Sequence, residues 1–135
     1  MAGTIVADTI QDGAGNSTSM DNAIYGSAKA WVNFNGTSGA SPVIRASYNI
    51  SSVVRNSTGY YTVNFTNALT DANYCIVPSM GGTTTATVPV TIASNLSAVN
   101  TTVTPTTSAF SLISMSQSNN VLYDVTGYIY VSVFR

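Results

Sequence analysis

Apolar and polar residues alternate along most of the chain from residue 28 onward, with the period of a β-strand that buries one face. The alternation predicts seven or eight short strands, at 28–34, 43–50, 60–66, 74–78, 85–92, 110–113, 121–125 and 127–134. Glycine and asparagine residues that favour turns separate these segments. We therefore expect an all-β domain over residues 28–135, either a β-sandwich or a jelly-roll-like barrel, with helix limited to a turn or two near 69–73.

Two of the predicted strands carry information about their place in a sheet. In strand 85–92, Pro89 falls on the outward set and cannot donate a ladder hydrogen bond, which favours an edge position. Strand 127–134 is apolar on both faces, and it is expected either to be central in the sandwich or to be buried by a partner subunit.

Residues 1–27 have a different pattern, with isolated apolar residues between turn signals such as Asp12 followed by Gly13. This segment has too little apolar surface to fold by itself, and we interpret it as an extended N-terminal arm. The arm is either flexible or packed on a neighbouring subunit or another protein of an assembly. In the second case, the apolar residues available to a subunit or assembly interface, here and in the last strand, are Ile5, Val6, Ile10, Ile24, Tyr25, Tyr128, Tyr130 and Phe134.

The composition agrees with an all-β fold and excludes several kinds of partner. Valine, isoleucine and threonine account for 43 of the 135 residues, and these β-branched types suit a pleated surface. Charged residues make up 7% of the chain and the net charge is −1, so there is no basic stripe for nucleic acid and no polybasic patch for a membrane surface. A surface with so little charge tends to associate, and a homo-oligomer is expected.

The sequence offers little for catalysis or metal binding. It has no histidine and no glutamate, and its five aspartates are scattered, so no catalytic residue, cofactor or metal site is predicted and the protein is not expected to be an enzyme. Residues 12–16 lack the ligand spacing of a calcium loop and are expected to form a turn. Cys75 lies in an apolar strand and is expected to be a buried structural thiol.

The aromatic residues allow two interpretations. Exposed rings beside asparagine and serine could stack on sugar rings. Several rings lie in predicted strands, however, which favours core packing or a subunit interface for Trp31, Tyr48, Tyr61 and Tyr74.

The start of the chain shows no basic segment followed by an apolar run, so no signal peptide is expected. With a single cysteine, no internal disulfide can form. The low-charge surface suits the exterior of a particle, whereas the absence of a signal peptide and of disulfides suggests synthesis in the cytosol. A virion protein that is assembled in the host cytoplasm would combine these two properties.

Several motifs strengthen this interpretation: DTIQDGAGN at 8–16, KAWVNFNG at 29–36, IRASYNIS at 44–51, GYYTVNFT at 59–66 and DANY at 71–74. Together they resemble small virion and tail-fibre-type structural proteins of tailed bacteriophages, notably those that infect cyanobacteria and other aquatic bacteria. The resemblance covers residues 8–80 and brings no catalytic residues with it.

The resemblance implies a structural virion subunit, as a tail fibre, knob or capsid decoration protein. Such a subunit would form a homotrimer, bind other virion proteins and have a host-surface glycan as a further candidate partner. The alternative is a bacterial carbohydrate-binding module or adhesin.

Overall fold

The computed structural model describes residues 3, 6–36, 41–81, 90–96, 102–116 and 121–135. These residues form two four-stranded antiparallel sheets that share one apolar core, together with a separate two-stranded hairpin. The prediction of an all-β, sandwich-like fold is therefore confirmed.

The elements in chain order are β1 (Thr9–Gln11), β2 (Ser17–Ser19), α1 (Met20–Tyr25), β3 (Ala28–Phe34), β4 (Ile44–Tyr48), β5 (Ile50–Ser57), β6 (Tyr60–Phe65), β7 (Cys75–Gly81), β8 (Val90–Ser94), β9 (Ala109–Ser116) and β10 (Tyr128–Phe134). The first sheet has the strand order β4-β3-β10-β7, and the second sheet has the order β5-β6-β9-β8. Strands β1 and β2 pair only with each other.

The core lies between the two sheets and is built from alternate residues of their strands. In β10 the inward residues Ile129, Val131 and Val133 are almost fully buried, and the intervening residues point outward. Strands β3 and β6 follow the same pattern, whereas β9 is buried along most of its length. Together these three strands contribute Ala30, Val32, Phe34, Tyr61, Val63, Phe65, Phe110 and Leu112. Each large apolar side chain buried in this way stabilises the fold by about 1.5–3 kcal/mol.

The structure places the two informative strands as expected. Strand β10 lies between β3 and β7, which is the central position given as one of the two alternatives for the last strand. Strand β8 is at the edge of the second sheet, as predicted, although Pro89 itself lies outside the described residues.

The single strand predicted over 43–50 is wrong, because Asn49 ends β4 and sends the chain into the second sheet. Asn49 has a φ of 55°, and its side chain accepts a hydrogen bond from Asn67 N at 2.8 Å and donates one to Asn67 O at 3.1 Å. Asparagine tolerates this left-handed conformation better than most residues. The following strand β5, which forms a hairpin with β6, was not predicted as a separate strand.

Two further predictions of secondary structure are wrong. Residues 121–125 do not form a strand. They are held by an isolated bridge from Leu122 to Met115 and by the hydrogen bond from Tyr123 N to Ser114 O. Residues 66–74 contain no helix. The helix lies instead at α1, where the Ser19 side chain caps the first turn by accepting a hydrogen bond from Asn22 N.

The N-terminal segment is not extended throughout. The turn between β1 and β2 is fixed by the Asp12 carboxylate, which accepts hydrogen bonds from Ala14 N, Asn16 N and Asn16 Nδ2 at 2.8–2.9 Å. The Asn16 side chain is the largest influence that holds the pKa of Asp12 below its ordinary value. Residues 12–16 are thus a turn built on asparagine and aspartate, as predicted.

Candidate functional site

Four aromatic rings are exposed on the outer face of the first sheet. Trp31 is 40% exposed and Tyr48 is 58% exposed, and Tyr128 and Tyr130 are exposed to an extent similar to that of Trp31. We call the surface formed by Trp31, Tyr48, Tyr128 and Tyr130 the aromatic face.

The four rings share a face because of strand alternation and register. In β3 and β10 the residues on either side of each ring point into the core. Trp31 lies opposite Tyr48 of β4 on one side and opposite Ser132 of β10 on the other. Tyr130 lies opposite Asn33, two residues beyond Trp31 along β3. The rings therefore run diagonally across three neighbouring strands.

Arg45 extends the aromatic face at one end. Its guanidinium carbon lies 4.2 Å from the centroid of the Tyr128 ring, in a cation–π contact. Its Nη1 donates a hydrogen bond to Gly127 O at 3.1 Å. The Tyr128 and Tyr130 rings are parallel within 3°, with their centroids 5.8 Å apart. These contacts hold Arg45 and both tyrosines in place before any partner arrives.

Asn33 lies on the same face, between Tyr130 and Ala46 in the sheet. Its side-chain oxygen Oδ1 is buried and accepts no hydrogen bond from the described residues. A buried acceptor without a donor costs about 1–3 kcal/mol. The aromatic face therefore contains a polar group whose bonding a partner could complete.

The N-terminal hairpin is a second exposed surface. Both of its strands are exposed along almost their whole length, and Val6, which precedes β1, is 93% exposed. Helix α1 adds two exposed apolar side chains, Ile24 and Tyr25. A groove of about 460 Å³ lies beside α1, lined by Tyr25, Lys29, Ala68, Leu69, Thr70 and Arg135.

The residues predicted as an interface thus fall into two regions. The first region is the N-terminal segment, with Val6, Ile10, Ile24 and Tyr25 exposed, and the second is the outer face of β10, with Tyr128 and Tyr130 exposed. Phe134 is half-buried at the end of β10, and Ile5 lies outside the described residues.

The structure separates the strand aromatics that the sequence grouped together. Of the two alternatives given for these rings, core packing holds for Tyr61, which is fully buried, but not for Trp31 and Tyr48, which face outward and keep the alternative of a subunit interface. Tyr74 is half-buried, and its hydroxyl lies 2.9 Å from Thr106 O and 3.1 Å from Ala109 O, either of which can accept its proton. Burial raises the pKa of Tyr74 to about 12. Trp31 alternates with Ala30 and Val32 and lies on the same face of β3 as Lys29 and Asn33. These two polar neighbours are the signal in the sequence that Trp31 points outward.

The expectation of a buried Cys75 is also wrong. Cys75 is exposed because it is the first residue of β7 and belongs to that strand's outward set, opposite Phe134 of β10. Its neighbour Ile76 carries the inward position instead and packs against the core. A short apolar run does not reveal which of its residues point inward.

Asp124 is the centre of a network of hydrogen bonds. Its Oδ1 accepts from Arg55 Nε and Gly59 N, both at 2.9 Å, and lies 3.1 Å from the Tyr61 hydroxyl. That hydroxyl donates to Gly36 O at 2.7 Å. Burial and the neighbouring Asp124 charge raise the pKa of Tyr61 above its usual range. Tyr61 is fully buried, and this network ties separate segments of the fold together.

Other acidic groups do not gather into a site in the part of the chain that the structure describes. Asp71 pairs with Arg135, and no group of three or more potential metal ligands is present among the described residues. No helix among them is long and apolar enough to cross a membrane.

No protein-family model, curated protein or solved structure matches this chain.

Proposed function

We propose that the protein is a non-enzymatic structural and adhesive subunit of a tailed-bacteriophage virion that assembles as a homotrimer through its N-terminal segment. The observation that carries the proposal is the hairpin of β1 and β2, which pairs with no other strand in the described part of the chain. A lone two-stranded hairpin is marginally stable in water. Docking on a neighbouring subunit would stabilise it.

The side chains of the N-terminal segment support the same proposal. Three apolar side chains are about half-exposed or more, those of Val6, Ile10 and Ile24. Burying each of them would stabilise the protein. Unpaired strand edges also offer backbone groups to another chain. A neighbouring subunit could therefore bury the apolar side chains and complete the strand pairing at once.

The low charge of the chain and its resemblance to phage proteins support the trimer and the virion in this proposal. A surface with 7% charged residues favours association, and closed symmetry would bury the apolar patches without leaving a free end to polymerise. The number three and the virion come from the resemblance of residues 8–80 to phage fibre and decoration proteins. The fully buried Tyr61 beside Asp124 agrees with a structural rather than a catalytic role.

The assembly proposal is tested by the mass of the protein in solution. Sedimentation should give a trimer for the full chain, and a smaller species for a chain that starts at Ser27 and for the variant Ile10→Thr. Val43→Thr is the matched control, because Val43 is a highly exposed valine of the sandwich. A monomeric full chain at micromolar concentration, or a truncated chain that assembles equally well, would remove the role of the N-terminal segment.

The virion proposal is tested on particles. Peptides of this chain should co-purify with tailed-phage particles through a density gradient, at a copy number divisible by three. Their absence from the particles, with the protein recovered free or on bacterial cells, would favour the second candidate. That candidate is a bacterial carbohydrate-binding module or adhesin, and the exposed aromatic face is the observation that favours it.

A further inference from the structure

We infer that the aromatic face binds an acidic oligosaccharide, with sugar rings stacked on Trp31, Tyr48 and Tyr130 and an acidic group at Arg45. This inference rests on the adhesive role in the proposed function and names the binding site and the class of ligand. The three strands that carry the rings are neighbours in the first sheet, so the site is built on rigid backbone.

The arrangement of the rings fits an extended ligand. Neighbouring strands lie about 4.8 Å apart and residues rise about 3.3 Å along a strand, so Tyr48 and Tyr130 are separated by roughly 12 Å. Trp31 lies between them and Tyr128 continues the line beyond Tyr130. This track is long enough for several linked sugar rings, and flat aromatic surfaces can pack against the C–H faces of such rings.

The polar groups between the rings favour a sugar over a second copy of this chain. Asn33, Ser132 and Ser79 lie on the same outward set as Tyr130 and its neighbours. A dry protein interface would bury these groups without partners, at a cost of about 1–3 kcal/mol for each unpaired group. Sugar hydroxyls both donate and accept, and a small rotation of Asn33 would let a hydroxyl donate to its unpaired Oδ1.

The charges on the face favour an acidic sugar. Arg45 lies at one end of the track, and β3, β4, β7 and β10 contain no aspartate or glutamate. The bond to Gly127 O uses one of the five N–H donors of the guanidinium, and the Tyr128 ring restrains its position. A carboxylate can pair with such a preorganised guanidinium through two hydrogen bonds, with little further loss of entropy.

Trp31 is the single tryptophan of the chain, so its fluorescence reports directly on the site. The full chain is titrated with a hexauronate prepared from alginate and with uncharged cellohexaose, and calorimetry repeats each titration. We expect saturable binding of the hexauronate that weakens with added salt, and binding of cellohexaose that is roughly tenfold weaker or absent.

Variants then separate the contributions of ring and charge. Tyr130→Ala and Arg45→Gln should each weaken hexauronate binding roughly tenfold, whereas Tyr130→Phe keeps the ring and should retain binding. Tyr60→Ala, on the outer face of the second sheet, and Arg135→Gln, off the aromatic face, are the matched controls and should bind as the unmodified chain does.

Three results would overturn the inference. They are no saturable response to the hexauronate, equal binding of the hexauronate and of cellohexaose by the unmodified chain, and a lower sedimentation mass of the Tyr130→Ala variant, which would assign the face to a second copy. The assembly proposal fails separately: an Ile10→Thr variant that remains trimeric and still binds the hexauronate contradicts only the role of the hairpin.

Discussion

Arg55 and Asp124 form a two-pronged ion pair that joins the β5–β6 hairpin to the segment leading into β10. Arg55 Nε lies 2.9 Å from Asp124 Oδ1, and Arg55 Nη2 lies 2.7 Å from Asp124 Oδ2. Their side chains are only 20% and 14% exposed. The pair therefore lies where water screens it poorly, and it fixes a segment that has no regular sheet pairing of its own.

The first prediction concerns this ion pair. Asp124→Asn should lower the free energy of unfolding by about 2–3 kcal/mol, because it leaves Arg55 without its charged partner and weakens the bond from Gly59 N. Urea denaturation measures the change. Asp71→Asn is the matched control, since it breaks a similar pair with Arg135 whose side chains are more exposed. An equal loss in the two variants would contradict the structural role of the buried pair.

The second prediction is the acid dependence of stability. Burial alone would raise the pKa of Asp124, but the hydrogen bonds from Arg55 and Gly59 outweigh it and hold the pKa below its ordinary value. The unfolded chain then takes up protons more readily than the folded protein, so the contribution of Asp124 is complete above about pH 4 and is lost as the pH falls through the folded-state pKa.

Urea denaturation at a series of pH values tests this dependence. The difference in unfolding free energy between the unmodified chain and the Asp124→Asn variant should shrink toward low pH. A difference that stays constant down to about pH 2 would show that ionisation of Asp124 does not contribute.

The third prediction concerns Gly59, in the turn between β5 and β6. Gly59 has a φ of 62°, and a Cβ atom there would lie 2.6 Å from Ser114 O and 2.8 Å from Tyr123 N. Gly59→Ala should cost about 2–4 kcal/mol of stability, because both the backbone conformation and the close backbone atoms oppose it. Thermal unfolding measures the loss. Gly13→Ala, where a Cβ would meet open space, should be nearly neutral in that assay.

The fourth prediction concerns Cys75. Its thiol should react with Ellman's reagent in the folded protein without denaturant, at one thiol per chain, because it is exposed at the start of β7. Cys75→Ser should change stability by less than about 0.5 kcal/mol. Reaction only after denaturation, in a monomeric sample, would contradict the exposed position.

The sequence predicts much of the fold because several strands alternate cleanly. The bounds of β3 were predicted to the residue, and those of β6 and β10 to within one residue. The break at Asn49 could not be predicted, since residues on both sides continue the same alternation and only the backbone angle changes. Helix α1 was missed because six residues are too few to show a helical period.

The candidate site was predicted only in part. Tyr128 and Tyr130 were predicted as surface residues of an interface because they alternate with the apolar residues of the same strand, and the structure exposes both. Tyr48 was assigned to the same face as Ile44 because the alternation of 43–50 was continued through Arg45, where the register of β4 against β3 shifts and the faces reverse. The neighbourhood of Trp31, Tyr48 and Arg45 depends on pairing between strands, and a single sequence gives no register between strands.

The pairing of Ala28, the first residue of β3, with Phe134, the last residue of β10, has a consequence for how this domain can be connected to other chain segments. The chain enters and leaves the sandwich at directly opposed positions of β3 and β10, roughly 5 Å apart at the backbone. The sandwich could therefore be inserted into a surface loop of another protein through two short linkers. The end of the domain away from the linkers would then stay exposed.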